Sequence, residues 1–199
     1  MKLYYSPGAC SLSPHIVASE AGIPLELEKV DLKTHKTESG EDFYQINPKG
    51  YVPALKLDDG RMLTEGPAIV QYLADQKPAS HLAPAEGSFE RYKHYEWLTF
   101  INSEIHKSFA PLFGNAGDDV KNEARFKVMK RFEYVNGELD GKPFLLGDTF
   151  TAADAYLFVM LTWAHHVKIA LPHNLSDFFN RVAQRPKVHA AMKEEGLVK

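Results

Sequence analysis

The hydrophobic pattern of this chain changes period once, across Lys77 to Gly87, a stretch rich in proline, alanine, glycine and serine. Before it, short apolar runs alternate with turn signals. Leu3–Tyr5 reads as a strand, Ser13–Ala21 as a helix ended by Gly22 and Pro24, and Leu25–Asp31 as a second strand. Asp58-Asp59-Gly60 separates two further apolar runs, Val52–Leu57 and Arg61–Leu63, and this predicts a hairpin. Pro67–Asp75 follows as a helix. After the change of period only helical patterns remain. Phe89–Phe109 carries Leu98, Ile101, Ile105 and Phe109 on one stripe, and Val120–Leu139 and Thr151–His166 follow. Two shorter helices, Ser176–Gln184 and Lys187–Glu194, are separated by Pro186. The expected organisation is a small α/β domain over 1–78, a linker over 79–87 and an all-helical domain over 88–199. At 199 residues the chain has room for two such cores.

Composition excludes several classes of function. A net charge of −3 without a dominant basic patch argues against a nucleic-acid partner. No apolar run approaches the roughly 20 residues that cross a bilayer, and the N-terminus reads as a strand rather than a leader. One cysteine cannot close an internal disulfide, which fits a reducing, cytoplasmic setting. The histidines lack metal-site spacing: His165 and His166 are adjacent and diverge on a helix. Neither a metal nor a bound cofactor is expected.

That one cysteine, Cys10, falls in Ser6-Pro7-Gly8-Ala9-Cys10-Ser11, between the first strand and the first helix. Unpaired N–H groups at a helix start stabilise a thiolate; an unpaired cysteine is equally at home as a small buried residue. Ser13 stands where a Cys-x-x-Cys motif has its second thiol, so a disulfide formed at Cys10 needs an external thiol to resolve it. Two further stretches carry chemistry. Pro53 opens a strand, where proline belongs at a start or an edge; a cis Val52–Pro53 bond would present the Val52 backbone to an extended peptide, while a trans bond makes an ordinary turn. In Thr64-Glu65-Gly66-Pro67, Gly66 suits a helix cap and Pro67 the first turn. Free N–H groups there suit a carboxylate and Glu65 suits an ammonium, although a solvated glutamate at a helix start has the same signature.

Taken together and in this order, these stretches resemble a glutathione transferase, over essentially the whole chain. The likeness includes Asn47-Pro48-Lys49-Gly50 leading to Val52-Pro53 and continues through Glu104-Ile105-His106-Lys107 and Thr151-Ala152-Ala153-Asp154-Ala155-Tyr156, and Cys10 with His106 and Lys107 resembles the bacterial beta class. The resemblance implies a thioredoxin-like N-terminal domain, an all-α C-terminal domain and a homodimer. It implies glutathione as co-substrate, with a hydrophobic electrophile as second substrate. Pro53 would be cis, and Val52 would pair with the cysteinyl backbone of glutathione. Glu65 and Gly66 would hold the γ-glutamyl end, with Gly66 in place of a common serine. His35, or else Lys36, would meet the glycyl carboxylate where relatives often carry lysine. Cys10 and His106 would stand near the sulfur, Glu104 would reach the partner subunit's glutathione, and Lys107 completes the motif.

On the long helix, Thr99, Ser103, His106 and Ala110 follow i, i+4, i+7, i+11 spacing and are expected on one face; Thr99 replaces an asparagine common in the class. The Thr151 box, with Asp154 at its third helical position, is expected to cap a buried helix. Tyr92, Tyr95, Trp97 and Phe100 are expected in core and interface. The activity implied is conjugation by the thiolate of glutathione. The alternatives are a glutathione-dependent thiol-disulfide reductase or peroxidase that uses Cys10 as nucleophile, and a non-catalytic glutathione binder.

Overall fold

The computed structural model describes all residues, Met1–Lys199. It divides into two compact units, Met1–Leu82 with Arg185–Lys199, and Ala83–Gln184. The break after Leu82 falls inside the expected linker. The last fifteen residues differ from expectation: by their contacts they group with the first unit rather than with the helical one.

The first unit is built on a mixed sheet of order β3-β2-β1-β4-β5. Its elements are β1 (Lys2–Tyr5), α1 (Leu12–Ala21), β2 (Glu26–Asp31), β3 (Lys36–Thr37), α2 (Phe43–Ile46), β4 (Ala54–Lys56), β5 (Met62–Thr64) and α3 (Gly66–Asp75). β1 runs parallel to β2 and antiparallel to β4, with Leu3 opposite Leu55 and Tyr4 opposite Ala54. Strand alternation therefore splits the core. Tyr4, Val30 and Ala54 pack with Phe43 and Val52 in one cluster, against which Ala9 and Ile46 lie. α1 packs against α3, and also against α9 (Pro186–Glu194) from the end of the chain. Gly22 ends α1 in the left-handed region at φ 66°, which glycine adopts without a Cβ penalty. The hairpin forms as the sequence predicts, its turn placing Gly60 at φ 87°. β3 and α2, of two and four residues, had no expected counterpart.

The second unit is helical: α4 (Phe89–Phe100), α5 (Ala110–Phe113), α6 (Asp118–Glu138), α7 (Ala152–His166) and α8 (His173–Ala183). Every residue of α7 from Ala152 to Leu161 is buried, the pattern of a helix that is apolar all round. It packs against α4, which buries Trp97 and Leu98, and against α8, which buries Leu175 and Phe178. The capping box is present. The buried Asp154 carboxylate accepts from the Leu145 N–H at 2.8 Å, the Thr151 N–H at 2.8 Å and the Thr151 hydroxyl at 2.7 Å.

One expected helix is broken. Phe89–Phe109 is not continuous α-helix: a π-helical turn occupies Ile101–Ile105 and a 3₁₀ turn His106–Phe109. The His106 N–H reaches back to the Ile101 carbonyl, five residues away. The apolar stripe survives, since Leu98, Ile101, Ile105 and Phe109 are all buried.

Candidate active site

In the first unit, Cys10 lies on a turn fastened at its base by Ser11. The Ser6 N–H donates to Ser11 Oγ at 3.1 Å, and that hydroxyl donates back to the Ser6 carbonyl at 3.2 Å. Within the turn the Ala9 N–H reaches the Ser6 carbonyl at 3.0 Å. Ser11 is the N-cap of α1, so Cys10 precedes the helix by one position more than a capping thiol would. Its half-buried thiol donates to the Val52 carbonyl at 3.3 Å. Ser13 is buried, and its hydroxyl bonds the Cys10 carbonyl at 2.8 Å instead of facing the sulfur.

The Val52–Pro53 bond is cis, as the resemblance implies. The Val52 side chain is buried and Tyr51 is exposed. Glu65, at φ 71°, has a backbone conformation uncommon for a residue with a Cβ, of the kind that clusters at ligand clamps. It is itself the N-cap of α3, and Gly66 is the first helical residue, one position earlier than expected. Its exposed carboxylate accepts from Lys49 Nζ at 2.6 Å and from the Tyr51 hydroxyl at 3.2 Å. Lys49 and Tyr51 carry no site role in the sequence reading; the Pro48-Lys49-Gly50 turn brings them over Glu65. Gly50 itself is required, because it sits at φ 71° and a Cβ there would overlap the Tyr44 ring. Tyr44 also lies against His35, with its hydroxyl 3.3 Å from Nε2. His35 Nδ1 is buried without a hydrogen-bond partner. Lys36 is exposed on β3.

In the second unit, the π turn delivers His106 against α7. Its Nδ1 is 2.6 Å from the hydroxyl of the buried Tyr156, and that hydroxyl donates to Asn102 Oδ1 at 2.9 Å. With the amide oriented this way, neutral His106 donates Nδ1–H to the tyrosine oxygen and keeps an acceptor at Nε2. Trp163 stands edge-on to the imidazole at 4.9 Å. Burial, with a smaller push from Lys107, lowers the His106 pKa to about 4. The expectation of one shared face does not hold. Thr99, Ser103 and Ala110 are exposed, whereas His106 is folded in toward Tyr156. Tyr156 had no expected role beside His106, and Asn102 none beside Tyr156, since nothing local links Tyr156 to positions about fifty residues earlier. Glu104 Oε2 takes two hydrogen bonds from Arg131, at 3.0 and 2.7 Å, within its own unit. Lys107 is exposed and helps line a cavity of about 240 Å³ with Lys127 and Glu123.

The glutathione S-transferase N-terminal domain matches residues 8–76 and the C-terminal domain matches residues 90–186. This chain belongs to the glutathione S-transferase family. The transferase is 46% identical to glutathione S-transferase GstA of Escherichia coli O157:H7, over 99% of this chain and all of that one. It superposes on the bacterial transferase BphK, solved as a ternary complex, with a TM-score of 0.97 at 56% identity, covering 99% of this chain and 100% of that one. The beta-class enzyme of Sphingomonas chungbukensis gives a TM-score of 0.95 at 50% identity, with both chains fully covered. The expected class, fold and activity are thereby borne out: this is a glutathione transferase of the bacterial beta class.

Proposed function

We propose that this transferase uses glutathione's own sulfur as nucleophile toward a hydrophobic electrophile, with Cys10 and His106 acting on that sulfur and not replacing it. The observation that carries this reading is the role of the Cys10 thiol as a hydrogen-bond donor to the Val52 carbonyl. A thiol that donates in this way is equipped to donate to a thiolate arriving beside it. His106 Nε2, an acceptor in its tautomer, takes the S–H proton as the thiolate forms. The resulting imidazolium is held by the thiolate's charge, a partner the free enzyme lacks. The thiolate then forms a C–S bond with the electrophilic carbon, and the leaving group departs with the displaced electron pair.

The remaining assignments follow the same reading. Glu65 and the Gly66 N–H meet the γ-glutamyl end, with Lys49 and Tyr51 holding the carboxylate of Glu65. Val52 pairs with the cysteinyl backbone. His35 meets the glycyl carboxylate, with Lys36 as the alternative. Thr99, Ser103 and Lys107 are the helical unit's substrate contacts. Glu104 acts toward a partner subunit in a homodimer, with Arg131 fixing its carboxylate. The exposed Phe89, Tyr92 and Phe126 support an interface between copies.

The test is Cys10→Ser, assayed for conjugation with 1-chloro-2,4-dinitrobenzene, with intact mass measured after exposure to glutathione disulfide. Retained conjugation supports this reading, because a hydroxyl still donates. Conjugation abolished, together with a glutathione adduct on the wild type alone, transfers the chemistry to Cys10 and to the reductase mechanism. No binding of glutathione by the wild type overturns both.

A further inference from the structure

The buried carboxylate of Glu195 has no part in the chemistry above, yet it connects the end of the chain to the turn that carries Cys10. Glu195 follows α9, and its side chain is 0% exposed. Its Oε2 accepts the Gly8 N–H at 3.0 Å, and its Oε1 lies 3.0 Å from Nδ1 of the buried His15 on α1. The other ring nitrogen of His15 is 2.8 Å from Glu194 Oε2. Tyr5, at the end of β1, also feels the Glu195 charge. Leu197 closes over the same turn: a Cβ on Gly8 would lie 3.3 Å from Leu197 Cδ2, and Gly8 is at φ 70°. Taking a carboxylate out of water is costly unless it is paired. Here it is spent two residues before the thiol. Ser11 fastens the base of the turn and Glu195 holds its tip.

We infer that Glu195 is a positioning residue for Cys10: by holding the Gly8 amide, the C-terminal tail fixes the Ser6–Ser11 turn and keeps the thiol on the Val52 carbonyl. This rests on the reading of Cys10 as the group beside glutathione's sulfur, but the holding contact itself is testable without glutathione. Cys10 is the single thiol of the chain, so its alkylation by iodoacetamide, which forms a C–S bond and releases iodide, reports on it alone. Loss of the clamp frees the thiol from a carbonyl that favours its protonated form and exposes the sulfur, and both effects speed alkylation.

The experiment compares wild type, Glu195→Ala and Glu195→Gln far below their melting temperatures. The glutamine retains an oxygen acceptor for the Gly8 N–H. Glu195→Ala is expected to alkylate at least about threefold faster than wild type, with Glu195→Gln within about twofold of wild type. A wild-type rate in Glu195→Ala overturns the inference, as does a glutamine variant as fast as the alanine one. Support for the fold alone would lower the melting temperature without moving these rates. Should the alanine variant fail to fold, hydrogen exchange at the Gly8 amide of the wild type decides. Protection of about 100-fold or more supports the clamp, and exchange at the rate of a free peptide overturns it. Conjugation measured on the same wild type separates failure of the clamp from failure of the Cys10 reading.

Discussion

Tyr156 places its hydroxyl 2.6 Å from Nδ1 of His106, and the two rings meet edge to face at 5.9 Å. One comes from the buried stretch of α7 and the other from the π turn, so the contact fixes an imidazole that a regular helix would have aimed elsewhere. Tyr156→Phe removes the hydroxyl and leaves the ring. Loss of one hydrogen bond of ~1 kcal/mol lowers kcat roughly five- to tenfold. KM for glutathione stays within about twofold, since the proposed glutathione contacts of Val52, Glu65 and Gly66 are untouched. Steady-state kinetics with 1-chloro-2,4-dinitrobenzene measures both constants.

The low basicity of His106 has its own signature. Burial holds its pKa down to about 4. In the glutathione-free enzyme the ring therefore remains neutral across the range in which an ordinary histidine titrates. Nitrogen-15 NMR from about pH 5 to about pH 8 is expected to show Nδ1 protonated and Nε2 unprotonated throughout. Titration of His106 near an ordinary histidine value would show that burial does not suppress its charged form.

What the residues disclosed, and what they withheld, follows from how local each signal is. The hairpin at Gly60, the end of α1 at Gly22 and the Thr151–Asp154 cap are written within a few consecutive positions, and all three form. The two-domain plan was legible because the hydrophobic period itself changes. The π turn was hidden, because Leu98, Ile101, Ile105 and Phe109 make the same apolar stripe whether or not one turn is widened. β3 and α2 are too short to show a period. The pairs that build the site join distant positions: Lys49 with Glu65, Tyr156 with His106, Glu195 with Gly8. Only the assembled fold supplies these pairings, which is why Lys49 and Tyr156 stand in the sequence motifs without a role and Asn102 stands in none.

Asp154 is expected to serve stability and not turnover. Its carboxylate satisfies two backbone N–H groups and a hydroxyl in a fully buried setting. Asp154→Ala strands those donors, at a cost of about 2–4 kcal/mol. Urea unfolding is expected to show a lower midpoint at unchanged slope, with KM for glutathione preserved in whatever fraction folds. Asp154→Asn keeps one acceptor oxygen and falls between wild type and the alanine variant.

The last prediction concerns pH and the C-terminal tail. Burial alone would lower the pKa of His15, but the hydrogen bonds and charges of Glu195 and Glu194 overcome it and raise the value above 6.5. A base whose pKa is higher folded than unfolded binds more protons in the folded state between the two values. Its stabilisation is therefore complete below the unfolded value of 6.5 and is lost as pH rises through the folded one. The thermal midpoint of the wild type is expected to fall across that window. His15→Gln keeps a side-chain amide between the two glutamates without the titration, so its midpoint should be lower at acid pH and flatter with rising pH. Parallel curves for the two proteins, recorded by calorimetry over the same buffers, would show that the charge on His15 does not hold the tail.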